Sequence, residues 1–438
     1  MLRGGFFRHL KPPAGQVPDE KTIDGMCRIE IRVSMDRNAG SLRKPYEFGS
    51  QLRSWTAGDT WTVTFVLTEE CNLRCKYCYL CGKNNRNRME LETAKKAIDL
   101  ILDQSHLHDS IIVEFIGGEP FLEIDLMEAI TEYWKFHLYT LGHKWFGNYR
   151  FSISTNGILY HTPSVQNWIR KNYETVSVGI TIDGTQAKHD ATRVYPDGRG
   201  SYQDVVRNVP LWLTQYRSSG TKATFSPQCI PHLTESILHL WSLGIREIAA
   251  NCVFEDVWLD SDVQAFEEQL VSLADVVLQE DLWDKYNCTF FSDYIGHALA
   301  PTENANWCGA GKMLAIGTDG CLYPCVRFLQ YALAQKPARH CGSVYTGLDN
   351  DVRRAFHALS RYSQSPPQCI QCGIASGCAW CQGCNYDAAD TATIFQRSTG
   401  LCELHKARVR ANQYYWRRLK EEKGIERVAL DWERQCQM

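Results

Sequence analysis

The chain lacks any run of about twenty apolar residues, the length a helix needs to cross a bilayer, so no membrane partner is expected. Its opening stretch, Met1 to Leu10, holds neither a long apolar segment nor a small-residue cleavage site, which argues against a secretory signal. Charge of one sign is not in excess either: 47 basic against 50 acidic residues leave a net charge of −3. That balance gives no general attraction to nucleic acid. The expectation is a cytoplasmic protein. Its 438 residues, 44% hydrophobic and 22% charged, suffice for a buried core and for two or three domains.

Cysteine, by contrast, is abundant. A reducing compartment disfavours structural disulfides, so nineteen cysteines there point to metal binding or catalysis. Four lie within residues 71–81 and ten between Cys308 and Cys402. Cys27, Cys229, Cys252, Cys288 and Cys436 are scattered and read as ordinary core or surface thiols. The run Cys71-Asn72-Leu73-Arg74-Cys75-Lys76-Tyr77-Cys78 spaces three thiols by three and two residues. Three thiolates so spaced can hold three corners of a 4Fe–4S cluster and leave the fourth iron open, unlike a coordinatively full four-cysteine cluster. A zinc knuckle or buried inert thiols would read the same residues more plainly.

From residue 62 to about 280, β-rich runs alternate with amphipathic stretches. Candidate strands are Thr62–Thr68, Ile111–Phe115, Arg150–Thr155, Val176–Thr181, Lys222–Gln228 and Glu247–Val253. Ala94, Ala97, Ile98, Ile101 and Leu102 follow helical spacing after the first, and Leu233–Leu243 after the fifth. Six such repeats predict an α/β fold, a parallel sheet with right-handed crossovers curled as a partial barrel. In such folds ligands bind at the carboxyl ends of the strands. The cysteine triplet, Gly117-Gly118-Glu119-Pro120, Ser154-Thr155-Asn156-Gly157 and Asp183-Gly184 all fall there. The double glycine would let backbone approach a ligand closely and adopt positive φ. Asn156-Gly157 also reads as a simple strand-end turn, and Arg193 as a surface salt bridge.

The triplet with its flanking Tyr77 and Tyr79 closely resembles the signature of radical S-adenosylmethionine (SAM) enzymes, which typically have a (β/α)6 partial barrel. The resemblance implies that Cys71, Cys75 and Cys78 hold a 4Fe–4S cluster whose open iron chelates SAM. It implies that Gly117, Gly118 and Glu119 meet SAM's amino group, and that Ser154, Asn156 and Asp183 face its polar parts. His189-Asp190-Ala191-Thr192-Arg193 resembles a stretch of peptide-modifying members in which the arginine pairs with SAM's carboxylate.

The later cysteines resemble a SPASM domain, which binds two auxiliary 4Fe–4S clusters in peptide maturases. The pattern matches at Cys308, Gly320, Cys325, Cys369, Cys372, Cys378 and Cys402. It departs where a cysteine four residues after Cys378 would fall on Gln382; this chain has Cys381 and Cys384 instead. The resemblance gives Cys369, Cys372, Cys378 and Cys402 to a distal cluster, and Cys308, Cys325 and Cys381 or Cys384 to a proximal one. Cys321 or Cys341 would complete the latter or leave it open. Two Cys-x-x-Cys pairs are also zinc-ribbon grammar.

The expected domains are an N-terminal extension 1–60, with a strand at Arg28–Val33, a barrel 61–290, a cysteine-rich domain 291–410 and a tail 411–438. The stretch His405–Lys423 reads as a basic helix packed by its aromatics, with contact to an acidic peptide leader as the alternative. The resemblance implies a peptide maturase acting on a ribosomal precursor peptide with a leader, served by a flavodoxin- or ferredoxin-like one-electron reductant. The segment Cys369–Tyr386 looks like that of cysteine-repeat peptide maturases and favours thioether crosslinking. Carbon–carbon crosslinking, formylglycine formation and a zinc-binding interaction protein remain alternatives.

Overall fold

The computed structural model describes residues 59–427 except 81–84, 105–107, 217–219, 256 and 307. The expected strand Arg28–Val33 and the cysteines Cys27, Cys81 and Cys436 lie outside the described residues.

Six strands form where the sequence puts them: β1 (Thr60–Val66), β2 (Ser110–Ile116), β3 (Tyr149–Thr155), β4 (Val176–Ile180), β5 (Gly220–Phe225) and β6 (Glu247–Cys252). Helices follow in alternation: α1 (Leu91–Asp103), α2 (Ile124–Thr140), α3 (Pro163–Lys171), the short α4 (Gln186–Thr192), α5 (Tyr202–Val206) and α6 (Val209–Gln215), then α7 (Leu233–Ser242) and α8 (Asp260–Gln279). The pattern follows from burial. One face of the sheet carries Val63, Phe65, Val113, Phe115, Phe151 and Ile153, all in the core. Against it α1 lays Ala94, Ala97, Ile98 and Ile101, one stripe of the helix. Period-two alternation then turns Thr62, Thr64, Glu114, Ser152, Ser154 and Lys222 toward the lumen of the partial barrel. That face is short and polar.

The six strands follow the expected parallel α/β order, with one break in the hydrogen-bonded ladder between β4 and β5. Strands β1 to β4 pair in parallel, and β5 pairs in parallel with β6, but the hydrogen-bonded order is β4-β3-β2-β1-β8-β9 and, separately, β5-β6-β7. At the seam, side chains take the place of ladder bonds. The Thr221 hydroxyl donates to Ile180 O at 2.7 Å and accepts from Ile182 N at 2.9 Å, while Trp212 Nε1 donates to Val178 O at 2.7 Å. All three groups are buried, so without these bonds each would carry an unsatisfied-polar penalty of about 1–3 kcal/mol.

Strand β7 (Asn287–Cys288) extends β6, and β8 (Leu314–Ile316) pairs in parallel with the free edge of β1. Strand β9 (Leu322–Tyr323) returns antiparallel to β8. Gly320 closes this hairpin at φ +81°, where a Cβ would also lie 2.8 Å from Val344. The cysteine-rich region therefore shares a sheet with the barrel, and the described residues belong to one compact unit. A boundary at 410/411 would cut a single helix, Cys402–Lys423. That helix packs along α8 and buries Tyr415, Trp416 and Leu419. Tyr415 stacks on Phe291 at 4.5 Å, and Trp416 Nε1 donates to Phe291 O at 3.0 Å. Truncating a buried tryptophan costs about 3–5 kcal/mol, against about 0–1 kcal/mol for its exposed Arg410–Glu267 ion pair. Packing fixes the helix.

Candidate functional site

The loop after β1 carries the triplet and is stitched on both sides. Glu69 N bonds Asn87 O and Met89 N bonds Leu67 O on the returning strand, while Arg74 N and Lys76 N donate to Val194 O and Thr192 O. Cys71 is buried and its sulfur accepts from Leu73 N at 3.4 Å. Gly118 N and Glu119 N donate to Thr68 O and Glu70 O at 2.8 and 2.9 Å, tying the loop to the end of β2. The double glycine serves this close approach. A Cβ on Gly117 would lie 2.6 Å from Thr68 O, and one on Gly118 2.0 Å from Glu70 O. Neither glycine has positive φ, so the backbone they admit is the chain's own, leading directly into Cys71.

Glu119 is fully buried and accepts from Thr155 Oγ1 at 2.6 Å, Phe121 N at 3.2 Å and Asn156 N at 2.9 Å. Burial pushes its carboxyl above the ordinary range, and the hydrogen bonds from Asn156, Thr155 and Phe121 oppose that shift. Only one of these bonds falls on Oε2, which leaves that oxygen a lone pair. Asn156 is likewise engaged inside the protein: Nδ2 donates to Asn72 Oδ1 at 2.6 Å, and Oδ1 accepts from Ile158 N. It fastens the triplet loop to the end of β3. Ser154 is exposed to the lumen. Gly157 has φ +81°, so the strand-end turn is also present.

Asp183, Tyr77 and Arg193 form a buried chain. Tyr77 OH donates to Asp183 Oδ2 at 2.5 Å and Arg193 Nη1 to Tyr77 OH at 2.8 Å. Thr224 N donates to Asp183 Oδ1, and Lys188 Nζ lies 3.8 Å from it. Burial alone would raise the Asp183 pKa, but Lys188, Arg193 and His189 together hold it below its ordinary value. Burial brings Lys188 down to about 8 in spite of Asp183. Burial, then Arg193, brings His189 down to about 3. His189 is therefore neutral near pH 7. Its Nδ1 accepts from Asp183 N at 3.3 Å, which leaves Nε2 protonated to donate to Ser201 Oγ at 3.1 Å. Ser201 Oγ in turn donates to Arg193 O. The motif before Arg193 thus fixes the arginine's backbone.

Two groups of thiols lie beyond the barrel. Charges on Cys308 and Cys381 act on Cys325, and Cys384 hydrogen-bonds Cys381. That bond from Cys384 is the main reason Cys381 falls to about 6, with Arg327 adding to it against burial. The second group comprises Cys369, Cys372, Cys378 and Cys402: Cys369 feels charges on Cys402 and Cys372, and Cys378 those on Cys369 and Cys402. Arg397 Nη2 donates to Cys378 Sγ at 3.1 Å, and its guanidinium lies 4.1 Å from the Trp380 ring centre. For Cys321 and Cys341 the charges that matter come from other residue types. Burial raises each thiol to about 11, and the charged neighbours are Asp319 for Cys321 and Arg353 and Asp349 for Cys341. Cys341 pairs instead through its backbone with Leu322 and Asp349.

A cavity of about 680 Å³ separates the triplet loop from the first thiol group, with Cys78, Tyr79, Arg327 and Cys384 in its wall. Arg327 spans the two sides: its guanidinium lies 4.7 Å from the Tyr79 ring centre, donates to Glu255 at 2.9 Å and also to Cys384 Sγ. Sequence reading missed Arg327, Arg397, Glu114 and Lys222. Arginine within a cysteine-rich stretch was the available signal for Arg397; β5 alternation was the one for Lys222.

These residues fit the groups that the resemblance implies. Arg193 keeps a buried Nε–H without a partner, suited to a carboxylate. Cys308 and Cys381 raise the pKa of Cys325, and Cys402 and Cys372 that of Cys369, so a bound cation is what would let them ionise together. Among the described residues, no three His, Cys, Asp or Glu side chains converge closely enough to hold a single metal ion. No helix there is long and apolar enough to cross a membrane.

Such a barrel, with thiols gathered at one rim, defines a class, and comparison with known proteins gives it a name. Residues 65–215 match the radical SAM superfamily, and this part of the chain is a radical SAM domain. An uncharacterized protein of Methanocaldococcus jannaschii is 30% identical over 183 residues, 42% of this chain and 59% of that protein. The chain thus spans about three fifths of that relative's length. The serine-type anaerobic sulfatase-maturating enzyme of Bacteroides thetaiotaomicron is 22% identical over 342 residues, 70% of this chain and 78% of that enzyme. Among solved structures, native anSMEcpe with bound AdoMet and Cp18Cys peptide superimposes with a TM-score of 0.62 at 16% identity, covering 84% of this chain and 100% of that one. The fold is shared.

Proposed function

We propose that the chain is a radical SAM enzyme that modifies a ribosomally made precursor peptide. The observation that carries this reading is the cavity of about 680 Å³ with Cys78 on one side and Cys384 on the other. A site of that volume between two sets of cluster-type thiols suits a peptide segment. The likeness to a sulfatase-maturating enzyme and to a peptide-bound structure supports a peptide as substrate.

Cys71, Cys75 and Cys78 would hold the cluster that binds SAM, and the two thiol groups would hold one auxiliary 4Fe–4S cluster each. When bound, SAM on its cluster supplies a 5′-deoxyadenosyl radical for hydrogen abstraction. The chain's own part is positioning. Arg193 offers its free Nε–H to SAM's carboxylate, Glu119 offers the remaining lone pair of Oε2 to the amino group, and Ser154 offers a lumen hydroxyl. Asp183 and Tyr77 hold Arg193 in place. A flavodoxin- or ferredoxin-like protein would supply electrons.

For the bond formed, we favour a thioether. Its support is the segment Cys369–Tyr386 and a cavity wall that includes Cys384. The similarity over 342 residues to a sulfatase-maturating enzyme favours formylglycine formation as the second reading. The test is anaerobic incubation of the reconstituted enzyme, SAM and reductant with a cysteine-containing precursor peptide, followed by alkylation and fragmentation. A thioether lowers the mass by about 2 Da per bond and blocks alkylation of that cysteine. Loss of about 2 Da with every cysteine still alkylated would mean carbon–carbon coupling. An aldehyde trapped by hydrazine would mean formylglycine. Zinc without iron or acid-labile sulfide would overturn the enzyme reading in favour of a zinc-binding interaction protein.

A further inference from the structure

Lys222 sits on the lumen face of β5. Its neighbours Thr221 and Ala223 turn to the other face and are buried. In the parallel ladder Lys222 is level with Ala249 of β6, and Thr224 with Asn251. Water reaches the Lys222 side chain, yet the protein crowds it enough to lower its pKa, with Asp183 opposing and Arg327 assisting. Period-two alternation puts Thr224 and Ser226 on the same face, and Ser226, just past the end of β5, lines the cavity of about 680 Å³ beside Tyr77, Cys78 and Cys384.

Three neighbouring cations are already matched. Lys188 lies 3.8 Å from Asp183 and donates to Thr224 O at 2.6 Å. Arg193 is held by Tyr77, and Arg327 by Glu255 and Cys384. Asp183 is thus shared among Lys188, Tyr77 and Thr224. Glu114 donates no compensation: burial raises its pKa, and it accepts from Thr64 Oγ1 at 2.6 Å. Beyond its backbone place in the β5–β6 ladder, the Lys222 side chain has neither hydrogen bond nor ion pair among the described residues. A crowded ammonium group without a partner favours an incoming anion over a neutral group, because its own desolvation is then compensated.

We propose that Lys222 is a substrate-specificity residue: it holds a carboxylate of the peptide, an aspartate or glutamate side chain, in the lumen between the SAM side and the first thiol group. This rests on the peptide-modifying reading and names a feature of its substrate. SAM carries a carboxylate too, but Arg193 offers that group a buried Nε–H beside the triplet loop. Lys222 shares its face of β5 with Ser226, which lines the cavity given to the peptide.

The test uses the anaerobically reconstituted holoenzyme with SAM and two pools of acetylated, amidated hexapeptides. Each peptide has one fixed cysteine; one pool carries a glutamate at a randomised position and the other a glutamine there. Wild type should retain the glutamate pool about tenfold better than the glutamine pool, the equivalent of one partly desolvated ion pair. Lys222→Met should lose that preference, Lys222→Arg should keep it, and Lys222→Glu should favour a matching lysine pool. SAM affinity, measured separately by equilibrium dialysis, should stay within about twofold in Lys222→Met. If Lys222→Met fails to fold, as judged by iron content and thermal melting, Lys222→Gln replaces it. A tenfold loss of SAM affinity with the peptide preference intact would give Lys222 to SAM and overturn the proposal. Peptide binding without acidic preference in wild type would overturn it while leaving the peptide-modifying reading standing. No binding of SAM or of either pool would overturn both.

Discussion

Gly118→Ala tests how the triplet loop is held. The new Cβ would lie 2.0 Å from Glu70 O, 2.3 Å from Glu70 C and 2.8 Å from Cys71 N, all backbone atoms. Real Cβ contacts essentially never fall below 3.0 Å. Relief therefore needs a shift of about 1 Å in the peptide unit joining Glu70 to Cys71 (3.0 minus 2.0). The shift also strains the bonds Gly118 N to Thr68 O and Glu119 N to Glu70 O, at 2.8 and 2.9 Å. Overpacking of this kind costs about 1–3 kcal/mol, which by itself leaves a protein of this size folded. Metal sites tolerate far less, about 0.2 Å in ligand distances. The expected result is a folded protein that loses about four irons from the triplet site and keeps those of the two later groups. Iron analysis, a thermal melt and the effect of SAM on the electron paramagnetic resonance signal read all three consequences. Gly117→Ala, with its clash at 2.6 Å, should be milder. Full iron content and an unchanged SAM response in Gly118→Ala would refute the reasoning.

Three further outcomes follow from the same geometry. Reconstituted wild type should hold about twelve irons; Cys381→Ala should lose about four, and Cys341→Ala none, by iron and sulfide analysis. An equal loss from Cys341→Ala would return that thiol to the first group. Arg397→Met removes a cation and an N–H···S bond from Cys378, so a redox titration should find that cluster's potential lowered; a rise would count against the contact. His189 has a folded pKa of about 3 against about 6.5 unfolded, so between those values the unfolded chain binds the extra proton. Stability should therefore fall as pH drops below about 6.5, and thermal melts of His189→Gln should show a shallower slope between about pH 6.5 and 5.5. An unchanged slope would mean that His189 is charged in the fold.

Much of the fold was legible in the sequence because burial writes itself as periodicity. The alternation in Thr62–Thr68 and the helical spacing of Ala94, Ala97, Ile98 and Ile101 need no tertiary information. The triplet was legible for a similar reason, since ligands on one short loop must be close in sequence. The glycine pair was recognised, but its approach to the backbone of Thr68 and Glu70 was not: which backbone fills the space a Cβ would occupy is a long-range fact. The bond from Asn156 to Asn72, a residue 84 positions earlier, was not legible either, because it joins two distant loops.

By itself, then, the sequence determined the strand–helix alternation, the rim that gathers Cys71, Gly118, Asn156 and Asp183, and the cysteine wealth of the second half. Each depends on local spacing or on residue type. Only the tertiary structure put Cys384 within hydrogen-bond reach of Cys381. It alone opened the seam between β4 and β5, joined β8 to β1 and left Lys222 unpaired in the lumen. The physical reason is that spacing along a chain fixes which residues share a face, whereas charge pairing and ladder closure depend on which distant faces meet.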